Sequence, residues 1–134
     1  MRIKALAVVL ISATLLLGGP AGVVVAHTFT YRTQLTLNVS ERHIERGEYV
    51  IFFGRLKADH KDCRSHQVVR LYRDGNQVDT TTTDDDGEYR FRRRVFDTAR
   101  WQVRFGGSVS GTHPHSHTCK KSESKSVKVT VHRH

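Results

Sequence analysis

The chain has 134 residues, with 22 Lys and Arg against 13 Asp and Glu, nine His, and a formal net charge of +9 at pH 7. That length sets one domain rather than several, large enough to bury a core. Two cysteines exclude a Cys-x-x-Cys metal knuckle and leave one possible intramolecular pairing, Cys63–Cys119, with free thiols or an intermolecular bridge as the other readings.

The first segment reads as an export signal. Arg2 and Lys4 form a positive n-region, Ala5 to Leu17 is apolar, and Gly18-Gly19-Pro20 breaks any helix. Val24 and Ala26 then place small residues before a cleavage point at His27. An uncleaved membrane anchor is the rival reading, but the apolar run is long enough to span only if it continues through the Gly-Gly-Pro break. Residues 1–26 are therefore expected to be removed, leaving a secreted or extracytoplasmic domain, His27–His134, with no membrane span. Losing Arg2 and Lys4 leaves twenty basic against thirteen acidic side chains, a net +7. An oxidising compartment favours the Cys63–Cys119 disulfide.

Beyond His27 the apolar residues alternate with polar ones, and no helical stripe is present. Seven strands are predicted. Gln34–Val39 puts Leu35, Leu37 and Val39 on one face, and Tyr49–Leu56 is apolar on both faces, as expected of a central strand. Gln67–Arg73 turns at Asp74-Gly75-Asn76 into the Thr-rich Gln77–Thr83. Asp84-Asp85-Asp86-Gly87 turns again into Glu88–Val95, where apolar positions alternate with arginines. Arg100–Phe105 and Ser124–Val131 complete the set, and strands at this spacing suggest a sandwich.

Three runs carry a resemblance: Val69-Arg-Leu-Tyr-Arg, then Thr80-Thr-Thr-Thr-Asp-Asp-Asp-Gly-Glu-Tyr-Arg-Phe, then Arg100-Trp-Gln-Val-Arg-Phe-Gly-Gly. Over Leu35 to Val131 the chain resembles the bacterial immunoglobulin-like domains of secreted and surface proteins. The resemblance implies an all-β, seven-stranded immunoglobulin-like antiparallel β-sandwich. It also implies a role as spacer, adhesin or appended binding module. In such a sandwich one end collects the start of the first strand, the loop with His60, Cys63 and His66, the Asp84–Asp86 turn, and Gly106–Ser122. Both cysteines fall at that end, so pairing and topology agree.

That end is rich in imidazole. His113, His115 and His117 alternate, and cleavage before His27 would add a free amine beside its ring. These residues, with His60, His66 and the Asp84–Asp86 cluster on the adjoining loops, could bind copper or zinc. An N-terminal histidine on a β-sandwich is similar to periplasmic copper carriers and copper-dependent polysaccharide monooxygenases, although only His27 matches their pattern. The bland reading is a mobile, solvated loop around Gly106, Gly107, Gly111 and Pro114 that binds metal only loosely. Asp84–Asp86 lacks the closing Glu of a calcium loop and reads as a solvated turn.

The basic residues supply the other reading. On the outer positions of the predicted strands stand Arg70, Tyr72, Arg100, Arg104 and Lys128, and on another strand Arg90, Arg92 and Arg94. Such faces suit an anionic cell-wall polymer, an acidic polysaccharide or nucleic acid, because a guanidinium donates a fork of two hydrogen bonds. A surface whose charge only opposes aggregation is the plain alternative. No Gly-x-Ser-x-Gly elbow or phosphate loop is present, so no enzyme is expected. The sequence thus predicts a monomeric, non-enzymatic binding or structural module at the cell envelope, without a cofactor. A copper- or zinc-binding protein is the alternative.

Overall fold

The structure, a computed structural model, describes residues 27–111 and 115–133. The export signal predicted over residues 1–26 and the candidate ligand His113 lie outside the described residues. Among the described residues no helix is long and apolar enough to cross a membrane.

The molecule is all-β, and its frame is set by two facing sheets. In chain order the strands are β1 (His27–Tyr31), β2 (Thr33–Leu35), β3 (Asn38–Val39), β4 (His43–Glu45), β5 (Glu48–Ala58) and β6 (Val68–Arg73). They continue with β7 (Asn76–Thr82), β8 (Glu88–Val95), β9 (Ala99–Phe105), β10 (Ser108–Ser110), β11 (His115–Cys119), β12 (Ser122–Glu123) and β13 (Val127–His132). One sheet holds β2 and β3 on one side of β5 and β8 on the other. The second runs β4-β13-β9-β6-β7, with β12 also on β9, and a third small sheet runs β1-β11-β10.

Alternation makes the core. Val50, Phe52 and Leu56 of β5 face Val69, Leu71, Trp101, Val103 and Val129 of the second sheet, and all are essentially inaccessible to water. The Phe52 and Trp101 rings meet across the sheets at 4.4 Å between centroids. Burying each such side chain contributes about 1.5–3 kcal/mol, which is what holds the sheets together. The β6–β7 hairpin closes on Asp74 and Gly75, both at positive φ, as a two-residue turn with the twist of its strands requires.

Among the described residues the seven predicted strands become thirteen, because polar groups interrupt the ladders and a third sheet is added. Gln34–Val39 divides into β2 and β3, although both keep one register on β5. Between them Thr36 folds close over Gly54, where a Cβ would lie 2.1 Å from the Thr36 carbonyl oxygen. The Tyr89 hydroxyl, from β8, donates to that oxygen in place of a strand neighbour. The predicted strand Ser124–Val131 begins only at Val127, because the Ser124 hydroxyl accepts from the Val103 amide. The segment Gly106–Ser122, expected as a mobile loop, instead carries β10, β11 and the start of β12.

Cys63 and Cys119 are joined, across 56 residues of chain. Both are buried. In the chain-entropy treatment a loop of that length is worth at most about 4 kcal/mol. The Cys63→Ser/Cys119→Ser double variant is therefore expected to lower Tm by roughly 10–25 °C in thermal denaturation followed by circular dichroism.

Burial pushes the Tyr89 phenol above its ordinary value. A neutral acid whose folded value is raised binds its proton in the folded state after the unfolded chain has lost it, so stability falls as pH rises above about 10. Replacing Tyr89 with Phe should remove this part of the alkaline loss in urea titrations between pH 9 and 11. The same variant should cost about 1–2 kcal/mol at pH 7, because the Thr36 carbonyl loses its partner.

Candidate functional site

Three surface regions bring chemistry-bearing side chains together. The first is the outer face of β6, β9 and β13, where the sequence placed the basic set. Arg70 stands opposite Arg104 and Tyr72 opposite Gln102, while Lys128 faces Arg100. Like charges directly opposed across a ladder repel. Arg104 is compensated: its guanidinium lies 4.1 Å from the Tyr72 ring centroid, its Nε donates to Gln102 Oε1 at 3.0 Å, and Glu123 lies 3.7 Å away. Arg70, Tyr72, Arg104 and Lys121 line a shallow open groove. Arg100 and Lys128 stand about 14 Å further along β9, at about 3.4 Å per residue, and lie outside that groove.

The second region is the outer face of β5 and β8. The register sets Tyr49 against Arg94, Ile51 against Arg92 and Phe53 against Arg90. Arg92 lies 3.7 Å over the Tyr49 ring, and Arg94 is 5.6 Å from Tyr49 and 5.5 Å from Phe96. Arg46 adds a fourth guanidinium 5.4 Å from Phe96. Tyr49, Phe53 and Phe96 remain 51%, 41% and 43% exposed, so these are open platforms rather than core. Among the described residues Arg90, Arg92 and Arg94 have no carboxylate within ion-pair distance, whereas Arg55 is matched by Glu88 and Arg93 by Asp79. Sequence reasoning found the three arginines but missed their aromatic partners. It took the apolar residues on both faces of Tyr49–Leu56 as the mark of a central strand, which β5 is, and assigned its outer side chains no role. The available signal was Tyr49, Ile51 and Phe53 at alternate positions of that strand, matching the spacing of Arg94, Arg92 and Arg90 on β8.

The third region is the end joined by the disulfide. β1 lies parallel to β11, pairing His27 with His115, Phe29 with His117 and Tyr31 with Cys119. Of the predicted metal ligands His27, His113, His115 and His117, only His117 has a described side chain. Its ring lies 4.2 Å from that of His60, and Tyr31 packs against both at 5.8 and 4.8 Å. His60 caps the short 3-10 turn Lys61–Cys63, and its Nδ1 accepts from the Asp62 amide at 3.1 Å. The loop that carries it is tied down by Gln67, which donates to the Asp62 and Ser65 carbonyls and accepts from Ser108. His66 turns away to Asp85, with 2.6 Å between Nε2 and Oδ1.

The Asp84–Asp86 turn is held by its own backbone. Asp84 Oδ1 accepts from the Asp86 and Glu88 amides, both at 2.9 Å, as a side-chain-closed turn does.

A scan against protein-family models finds no match, and a search of curated proteins likewise finds none.

Proposed function

We propose that the chain is a secreted, immunoglobulin-like, non-enzymatic binding module that holds an anionic polysaccharide or teichoic-acid-like polymer of the cell envelope. The observation that carries this reading is the ladder on β5 and β8. Three guanidiniums recur at alternate residues beside exposed aromatic rings, without carboxylate partners. At about 3.4 Å per residue, alternate arginines stand about 7 Å apart, a repeat suited to successive charged units of an extended polymer. Arg forks suit phosphate and carboxylate, and an aromatic platform beside them takes the apolar face of a sugar ring. The Arg70, Tyr72 and Arg104 groove offers a second, smaller surface of the same chemistry.

Two features support the immunoglobulin-like part of the reading. The main strands divide between two sheets around a shared core, and the loops at one end are joined by a disulfide. The disulfide is also what favours an extracytoplasmic location. Thirteen strands and a third sheet exceed the family pattern, and they sit mainly at the disulfide end.

The test is binding of the purified protein to teichoic acid and to polygalacturonate, with neutral dextran as control, by calorimetry across a salt series. Affinity for the anionic polymers is expected to fall linearly on a log–log plot against salt, with dextran silent. The Arg92→Ala/Arg94→Ala variant should weaken binding about tenfold or more and flatten the salt slope, and Arg70→Ala/Arg104→Ala should act less. Equal affinity for dextran, or unchanged affinity in the first variant, would overturn the reading.

A further inference from the structure

We propose that His60, Asp62 and His117 form a binding site for one borderline divalent transition-metal ion, zinc or copper(II), at the disulfide end of the domain. The site rests on a residue set different from the run of histidines that the sequence makes conspicuous. It is also independent of the arginine faces.

The argument begins with placement. Each of the three residues lies close in sequence to one of the disulfide cysteines: His60 and Asp62 precede Cys63, and His117 precedes Cys119. The bridge therefore fixes the two backbones that present the imidazoles. One potential ligand atom from each residue lies within 4.8 Å of the others. Zinc–nitrogen bonds of about 2.0–2.1 Å put the ligand atoms of a tetrahedron about 3.4 Å apart. Closing the site thus takes movements of up to about 1.4 Å, shared between the exposed Asp62 side chain and small rotations of the two imidazoles.

A second observation points the same way. Nδ1 of His117 is buried and has no hydrogen-bond partner among the described residues. Buried polar atoms are almost always paired, so an orphaned imidazole nitrogen beside another imidazole and a carboxylate calls for a ligand. The ring packing of Tyr31 on both histidines restricts their movement, which lowers the entropic cost of ordering them. Coordination by His60 through Nδ1 would displace its bond from the Asp62 amide, the one hydrogen bond that nitrogen makes.

Ligand type selects the metal. Two imidazoles with one carboxylate suit zinc and copper(II), while calcium and magnesium prefer an all-oxygen shell. Both cysteines are locked in the disulfide, so no thiolate draws the site toward copper(I). Three protein ligands leave a coordination position for water or an external donor.

A rival cluster provides the control. At the opposite end the His43 and His132 rings stack at 6.1 Å, on strands that also carry Glu45. The test is calorimetric titration of untagged, chelator-stripped protein with zinc sulfate, with cobalt(II) absorption to report the coordination number. One zinc per chain is expected, with Kd micromolar or tighter and a four-coordinate cobalt spectrum.

His60→Gln and His117→Gln should each weaken zinc by more than the roughly ten- to hundred-fold that loss of an outer-shell partner costs. Asp62→Asn should weaken it less, and His43→Ala/His132→Ala should leave it unchanged. Zinc should also raise the Tm of the wild type and leave that of His60→Gln unmoved, which separates loss of the site from loss of the fold. Absence of saturable binding would overturn the proposal. So would zinc affinity unchanged in both His→Gln variants, or binding that follows His43 and His132 instead.

Discussion

The Cys63–Cys119 bridge joins two segments that are held mostly by polar contacts. The residues between β5 and β6 form only a short 3-10 turn, and β10 and β11 are a narrow ribbon rich in Ser, Thr and His. Neither brings many apolar side chains to the core, so a covalent link takes the place of burial there. Once Cys119 is anchored, β11 becomes a fixed edge on which β1 adds in parallel, ending with Tyr31 beside Cys119. The Lys120 amide then bonds the Tyr31 carbonyl, and Thr33 reaches the Lys120 carbonyl and the Ser122 hydroxyl. The start of the described chain is thereby sewn onto the loop that carries the second cysteine.

Arginine in strands has the opposite character, because it needs no core. β8 is the outermost strand of its sheet and β7 that of the facing sheet, so both present backbone groups to solvent. Arginines on β8 discourage pairing with a second chain. Arg93 goes further, since its position has the parity of the core-facing residues Tyr89, Phe91 and Val95. It stays half-buried, donating to the Val78 carbonyl of β7 and meeting Asp79 at 3.5 Å. Of its neighbours of the other parity, Arg92 packs on the Tyr49 ring, and Arg94 packs near Tyr49 and Phe96 and donates to the Gly47 carbonyl. A cation over an exposed ring is worth about 0.5–1 kcal/mol, enough to order a guanidinium but too little to withhold it from an anion.

The frame was readable from alternation because every buried position in β5, β6, β8, β9 and β13 except Val95 has a non-polar residue two positions away. What escaped had a physical reason in each case. β10 and β11 have few apolar residues, and β1 pairs with β11 through contacts 88 residues apart, such as Thr28 with Ser116. Local pattern carries no trace of such a pairing. Tyr49 and Phe53 were visible as apolar, but sequence alone does not distinguish a face covered by a third layer from one left open. The Arg70, Tyr72 and Arg104 group was legible because alternation alone puts these residues outward on strands that turn out to be adjacent. His60 was legible as one of five histidines that the disulfide end gathers, with no partner singled out for it. Its nearness to His117 depends on how two loops meet, whereas the alternating His113, His115 and His117 stand out on the page.

The disulfide end and the two arginine faces differ in how they connect. Gly106 and Lys121 border the Arg70–Arg104 groove and also flank the ribbon that holds His117. Gly107 makes that junction tight: its φ is +87°, and a Cβ there would lie 2.9 Å from the Cys119 carbonyl oxygen. Order imposed on β10 and β11 therefore reaches the groove through a few residues of constrained backbone. The β5–β8 ladder has no such continuity. It lies on the other sheet, Arg92 and Arg94 are held by the Tyr49 and Phe96 rings and the Gly47 carbonyl, and the core separates it from β9. The ladder is accordingly a fixed feature of the sandwich frame, and the groove is the arginine surface whose shape depends on the loop that the disulfide closes.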